Sequence, residues 1–305
     1  MDTIRIGTRK SKLALWQAEY VAEKLQNGGL KTELVLMETK GDMVLDVSIA
    51  KIGSKGVFTE ELEEKLANGE IDIAVHSAKD MQSSLAEGFD LIAFSEREEV
   101  NDVIVSDREI DLSKEIVLGT SSTRRIATLK HFYPNVRTVE VRGNLQTRIQ
   151  KMRDGLCDGL LLAFAGVHRM GYHEMIKKTL SLDEFTPAVG QGSVAIESHV
   201  SVSEEKRSKV RELINHPETE KRLLAERAFL KKLEGGCSIP VFALAHNQGE
   251  NIKIDGGIVS LDGQTRIVRS LEGPDPEEIG VMLAEQLLAA GGDHILSDIK
   301  KQLKK

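Results

Sequence analysis

Ile116-Val117-Leu118-Gly119-Thr120-Ser121-Ser122-Thr123-Arg124-Arg125 contains the unit from which this chain is built. A short apolar, β-rich run leads into a turn of small and hydroxylated residues, and the turn opens a helix that extends to about His131. Free backbone N–H groups at the helix start, the hydroxyls and two guanidiniums can converge there on a carboxylate or a phosphate. The alternative is a capping serine followed by two solvent-facing arginines. The segment matches neither a Walker A loop nor a GxGxxG fingerprint.

Outward from this unit the alternation recurs. Thr3-Ile4-Arg5-Ile6-Gly7 reads as a strand, followed by a helix capped by Ser11, with Leu15, Ala18 and Ala22 on one face and Gly28-Gly29 as its stop. Thr32 to Met37 is a strand, Thr59 to Asn68-Gly69 a helix, and Ile71 to Val75 a strand. Strands at Leu91 to Phe94, Val136 to Val141 and Leu160 to Ala163, with a helix from Leu145 to Asp154, continue the pattern. Strands alternating with helices predict two α/β lobes on largely parallel sheets. The charged stretch Ser95 to Asp107 reads as one connection between them and Thr186 to Gly192 as a second. From Ser203 the chain turns helical. After Gly235-Gly236 it gives strands at Val241 to Ala245, Ile252 to Val259 and Arg266 to Leu271, then a closing helix with Ile279, Leu283 and Leu287 in phase: a small α+β region.

The composition bounds the function. At about 150 residues per domain, 305 residues predict two domains or three small ones, and 40% apolar with 29% charged residues is an ordinary globular balance. With 48 acidic against 41 basic side chains the net charge is −7, which argues against coating nucleic acid or an anionic membrane through bulk charge, so any anion site is local. No window approaches a membrane span, and Met1-Asp2-Thr3-Ile4-Arg5 has no signal-peptide character. Two cysteines without CxxC spacing fit a reducing compartment, and the histidines lack the spacing of a metal site.

Further basic residues sit where open α/β sheets bind ligands: Arg142-Gly143-Asn144 with Arg148, Arg9 with Ser11, and Lys55 in the loop Gly53-Ser54-Lys55-Gly56. Each is also readable as an ordinary turn or cap. His76-Ser77-Ala78-Lys79-Asp80 follows a strand, with Asp80 as an acid–base or cation-stabilising group, or as the cap of a following turn. Cys237, after Gly235-Gly236, is an accessible thiol or a small buried hydrophobe; Cys157 takes the second reading.

In order over nearly the whole chain, these segments resemble the porphobilinogen deaminase (hydroxymethylbilane synthase) family. The landmarks are Thr8-Arg9-Lys10-Ser11-Lys12-Leu13-Ala14-Leu15-Trp16-Gln17, Lys40-Gly41-Asp42, Lys55-Gly56-Val57-Phe58, Ala74-Val75-His76-Ser77 with Lys79-Asp80, and Gly119-Thr120-Ser121-Ser122 with Arg124-Arg125. Arg142-Gly143-Asn144, Pro187-Ala188-Val189-Gly190-Gln191-Gly192 and Leu233-Glu234-Gly235-Gly236-Cys237 follow, the last being the most specific.

The resemblance implies two lobes folded like periplasmic binding proteins around a cleft, residues 1–95 with 193–216 and residues 96–192, and a cofactor-attachment domain over 217–305. It implies a cytoplasmic, monomeric transferase that joins four porphobilinogen molecules head to tail with release of ammonia and hydrolyses the product to linear hydroxymethylbilane. The chain would grow on a dipyrromethane cofactor held by a thioether to Cys237. The implied partners are porphobilinogen and its oligopyrroles, with neither nucleic acid nor membrane, and no metal. Asp80 would stabilise the azafulvene-like cation left by ammonia and relay a proton. Lys79, Thr120, Ser122, Arg124, Arg125 and Arg148 would hold cofactor carboxylates, and Arg9, Ser11, Gln17, Lys55, Arg142 and Arg169 substrate. The chain departs from the family's usual residues at Ala78 (Met), Gln82 (Pro), Thr123 (Leu) and Ser238 (Gln), and it lacks a common Pro-Arg near Glu99 to Asp102. Without the proline, the Asp80 loop is expected to be less rigid. Two rivals are a binding protein with a two-lobed anion cleft and no chemistry, which would not need Cys237, and a phosphate-handling enzyme, which lacks its phosphate loop.

Overall fold

The computed structural model describes residues 3–39, 59–236 and 238–303, so Lys55, Cys237, Lys40-Gly41-Asp42 and the loop from Gly53 to Phe58 lie outside the described residues. The first elements are β1 (Ile4–Arg9), α1 (Lys12–Asn27), β2 (Thr32–Met37), α2 (Glu60–Ala67), β3 (Ile73–Ser77) and β4 (Phe89–Phe94). The Ser11 hydroxyl accepts the Ala14 N–H and starts α1, whose buried face runs through Ala14, Ala18, Val21 and Leu25 at helical spacing. Leu15 lies at the edge of that face, half-buried. Next come β5 (Asp102–Val105), β6 (Ile116–Gly119), α3 (Thr123–Phe132), β7 (Val136–Val139), α4 (Leu145–Arg153), β8 (Gly159–Ala163), α5 (Phe164–Arg169) and β9 (Ile176–Thr179). The remainder is β10 (Val194–His199), α6 (Glu204–Ile214), α7 (Pro217–Lys232), β11 (Val241–Gln248), β12 (Asn251–Val259), β13 (Arg266–Gly273), α8 (Pro276–Leu287) and α9 (Asp293–Leu303).

Two five-stranded sheets share one winding, β2-β1-β3-β10-β4 and β7-β6-β8-β5-β9. In the first, β1 pairs parallel with β2 and β3, and β10 antiparallel with β3 and β4. In the second, β6 pairs parallel with β7 and β8, and β5 antiparallel with β8 and β9. The sheets are therefore mixed rather than largely parallel. In each, the antiparallel insertion is the strand that immediately follows a crossing between the two units. That is also why Ser95 to Asp107 is more than a connection: its charged first half hides β5, whose four residues are all buried.

The third sheet is antiparallel, β11-β12-β13. Its core joins Ile254 and Ile258 to Phe229 of α7 and Leu283 of α8. The closing helical region breaks at Gly291, whose φ of +100° suits glycine, so a second helix, α9, follows the one read from the sequence.

A buried ion pair joins the three units. Arg97, on the first crossing, donates to both carboxylate oxygens of Glu226 on α7 at 2.6 and 3.0 Å. Glu226 also accepts the N–H groups of Gly190, on the second crossing, and of Ala245, on β11, each at 2.9 Å. Every acceptor direction of this carboxylate is matched to a donor, which is what a fully buried charge requires. Among the described residues, no helix is long and apolar enough to cross a membrane.

Candidate active site

Where the three units meet, a cleft of about 1050 Å³ is lined by Lys79 and Asp80 after β3, by Thr120 to Ile126 at the start of α3, and by Arg148 of α4. Val189 and Gln191 of the second crossing, and Gly235, Gly236 and Ser238 after α7, complete its wall. Gly236 and Ser238 are the chain neighbours of Cys237, which itself lies outside the described residues.

Asp80 ends a single 3-10 turn, Ala78–Asp80, at the end of β3. The turn is held from several sides. The Ala78 N–H donates to the Ser193 carbonyl at 2.9 Å, and buried Gln17 donates to the hydroxyl of Ser77, the residue before the turn, at 2.9 Å. Gly190, at φ +76°, lies so close that a Cβ there would come within 2.8 Å of the Ala78 carbonyl carbon, which excludes any other residue without a shift. Ala78 and Met81 are buried on either side while Asp80 is exposed in the cleft. His76 does not join it: the ring is buried, with Nε2 3.1 Å from Glu197 Oε2.

The arginine pair is organised by a residue that sequence reasoning missed. Arg124 Nη2 donates to Asp102 Oδ2 at 2.7 Å and its Nη1 to the Thr186 carbonyl at 2.9 Å. Arg125 donates to Asp102 Oδ1 through Nη2 at 2.7 Å and Nε at 3.1 Å, and to the Leu161 carbonyl through Nη1. Gln191 adds a fourth side-chain bond to Asp102 at 2.9 Å. Burial alone would raise the pKa of Asp102, but the two guanidiniums outweigh it and hold the carboxyl well below the usual carboxylate range. Both arginines are therefore buried rather than solvent-facing. They are not exhausted: Arg124 Nε is buried with no hydrogen-bond partner among the described residues. Ser122 caps α3, its hydroxyl accepting the Arg125 N–H, and the Thr120 hydroxyl accepts the Ser122 N–H.

The cations here outnumber their counter-charges. Lys79 is half-buried by area, but protein surrounds its ammonium deep in the cleft. Its pKa is lowered to about 8 by burial first, with Arg125 and Arg124 adding to the effect and Asp80 and Asp102 opposing it. Arg148 is lowered to about 10, again by burial first, then by Arg125 and Arg142, against the pull of Asp80. Cations that depress one another's pKa form a site electrostatically suited to anions.

The structure thus brings together Lys79, Asp80, Thr120, Ser122, Arg124, Arg125 and Arg148. It does not bring Arg9, Ser11, Gln17, Arg142 or Arg169 into the cleft lining. Ser11 caps α1 and Gln17 holds Ser77. Arg9 is half-buried at the end of β1, and Arg142 is buried and close enough to Arg148 to lower its pKa. Arg169 stacks over Trp16 at 5.2 Å and donates to the Gly192 carbonyl at 2.7 Å, beside the second crossing.

Comparison with known proteins bears on this geometry. Residues 4–207 match the family model described as porphobilinogen deaminase, dipyromethane cofactor binding domain, and residues 221–289 the model for the porphobilinogen deaminase C-terminal domain. A porphobilinogen deaminase of Cytophaga hutchinsonii is 55% identical over 308 residues, covering 99% of each chain. One of Desulfosudis oleivorans is 54% identical over 305 residues, covering 98% of each. Among solved structures, the BvgS VFT2 domain of Bordetella pertussis (double mutant) aligns with a TM-score of 0.42 at 15% identity, over 70% of this chain and 85% of that one.

Proposed function

This chain belongs to the porphobilinogen deaminase family, and from that premise we propose which of its residues carry the reaction. The enzyme is a transferase of tetrapyrrole synthesis that condenses four porphobilinogen molecules head to tail, releases ammonia and yields linear hydroxymethylbilane, using a dipyrromethane cofactor. One observation carries the assignment: a single cleft is lined by Asp80, four buried or half-buried cations and both chain neighbours of Cys237.

The residues present suit a cofactor that bears carboxylates. Arg124 keeps an unpartnered buried N–H, and Lys79, Arg125 and Arg148 surround the same space. Lys79, Arg124, Arg125 and Arg148, with Ser122 and the Thr120 backbone, hold its acetate and propionate groups through charge-assisted hydrogen bonds. Cys237 is the attachment point. When bound, the dipyrromethane supplies the pyrrole terminus to which the first unit is joined. Asp80 places its carboxylate beside the substrate pyrrole, stabilises the positive charge that develops as ammonia leaves, and accepts a proton at Oδ. Gln17 keeps the Asp80 turn in place through Ser77, and Ser11 fixes the start of α1. Arg9, Lys55, Arg142 and Arg169 are assigned to substrate carboxylates. The domain limits assigned are 1–95 with 193–216, 96–192 and 217–305; a cytoplasmic location fits two cysteines without CxxC spacing, and the monomer is what the family resemblance implies.

The assignment of Arg124 is tested by Arg124→Leu. Removing one partner of a buried pair typically costs about 3–5 kcal/mol of stability, and the purified variant is expected to carry little or no cofactor by intact mass. Full occupancy with normal elongation would contradict the assignment.

The assignment of Lys79 makes a pH prediction. The ammonium, not the amine, pairs with a carboxylate, so the advantage of Lys79 is present below its pKa of about 8 and is lost as pH rises through it. Uptake of cofactor by apoprotein supplied with hydroxymethylbilane is compared with that of Lys79→Arg, whose guanidinium stays charged. The wild-type to variant rate ratio is expected to be flat below about pH 7.5 and to fall up to about tenfold per unit above 8. A ratio independent of pH would remove Lys79 from the binding set.

A further inference from the structure

The residues that follow Asp80 are fastened in a way the catalytic assignment does not use. Gln82 Nε2 donates to Thr59 Oγ1 at 3.1 Å and to Glu63 Oε1 at 3.2 Å. The Gln82 carbonyl accepts from Arg227 Nη2, on α7, at 2.9 Å. Thr59 is buried at the start of α2, and Glu63 is one turn further along. Met81, between Asp80 and Gln82, is buried against Phe94, Ala195 and Leu223. The two residues after Asp80 are thus pinned to α2, to the first sheet and to α7, and the loop is not the loose one that the absence of proline predicts.

The backbone of the preceding residue is also the one that a proline at position 82 would require. Met81 has φ −72° and ψ 141°, the extended conformation that a following proline forces on its predecessor. Among the described residues the Gln82 N–H donates no hydrogen bond, so a proline would remove none. We propose that Gln82 is a positioning residue for Asp80: its side-chain amide, bridging Thr59 and Glu63, holds the turn in the register that a proline ring would fix covalently. Gln82 and Thr59 themselves line the cleft beside Asp80, and the amide ties the loop to α2, so Asp80 keeps its place while the cleft fills with successive substrate units. The inference rests on the reading of Asp80 as catalytic.

The test uses holoenzyme, with cofactor occupancy measured by intact mass for each variant. Gln82→Ala, and Gln82→Met, which keeps the bulk without the donor, are expected to lower kcat about tenfold with KM for porphobilinogen within about twofold, because a small displacement of a reacting group is costly. Gln82→Pro, which also lacks the amide, is expected to recover kcat to within about threefold of wild type by restraining the backbone directly. A purely structural role would lower the melting temperature of all three without this split. The proposal is overturned if Gln82→Ala or Gln82→Met turns over like wild type, or if Gln82→Pro is as slow as they are. Asp80→Asn separates the two layers. Near-normal turnover there removes the catalytic reading itself, whereas a slow Asp80→Asn beside a normal Gln82→Met removes only the role of Gln82.

Discussion

Asp80→Asn is expected to keep the fold and the attached cofactor while lowering steady-state turnover by about 10²–10⁴-fold, the range typical for loss of a positioned acid–base group. The fold should tolerate the change because the carboxylate is exposed in the cleft, on a turn held by its neighbours: Ala78 through Ser193, Ser77 through Gln17, and Met81 through burial. Asparagine keeps the shape and removes the charge. Two effects then combine. The substrate cation loses its counter-charge, and the proton released on coupling loses its acceptor. The charge also matters to the cations nearby, since Asp80 opposes the depression of both the Lys79 and the Arg148 pKa, and with asparagine both fall further. Intact mass reports cofactor retention and a single-turnover assay reports the chemical step. A variant with wild-type turnover would show that the carboxylate is not required.

Much of this was legible in the sequence, for physical reasons that also mark where legibility ends. Ile116 to Arg125 announces a strand, a turn and a helix because the apolar run is short and Ser122 is a good cap, and the structure has β6 and α3 in those places. Residues at strand-to-helix junctions, Asp80 and Arg124 among them, stand out because such junctions open onto clefts. What could not be read was pairing at long range. Asp102 lies in a charged stretch and reads as a surface residue, yet it is fully buried, and its partners Arg124 and Arg125 are over twenty positions away. The only local signal is an aspartate opening the apolar run Val103-Ile104-Val105, too short to distinguish a strand from a loop. For the same reason the sheets read as largely parallel: β5 and β10 join theirs after a crossing, and periodicity carries no information on direction. The absent proline at position 82 suggested a looser loop, because the acceptors that replace it, Thr59 and Glu63, are distant in sequence.

The second large effect concerns the cofactor. Cys237→Ser replaces the thiol with a far weaker nucleophile, so no covalent cofactor forms and turnover should fall to background, although the carboxylate-binding cations are intact. The sites flanking Cys237 line the same cleft as Asp80 and Arg124, which is why a group anchored at position 237 can be served by those residues. The most direct measurement is the intact mass of purified wild-type protein beside Cys237→Ser, each with an acid dimethylaminobenzaldehyde colour test. The account predicts a mass excess of two pyrrole units and a colour reaction in wild type, both absent from Cys237→Ser. A wild-type protein that stays at its bare sequence mass after incubation with porphobilinogen or hydroxymethylbilane, or a Cys237→Ser protein that gains the same mass, would contradict it.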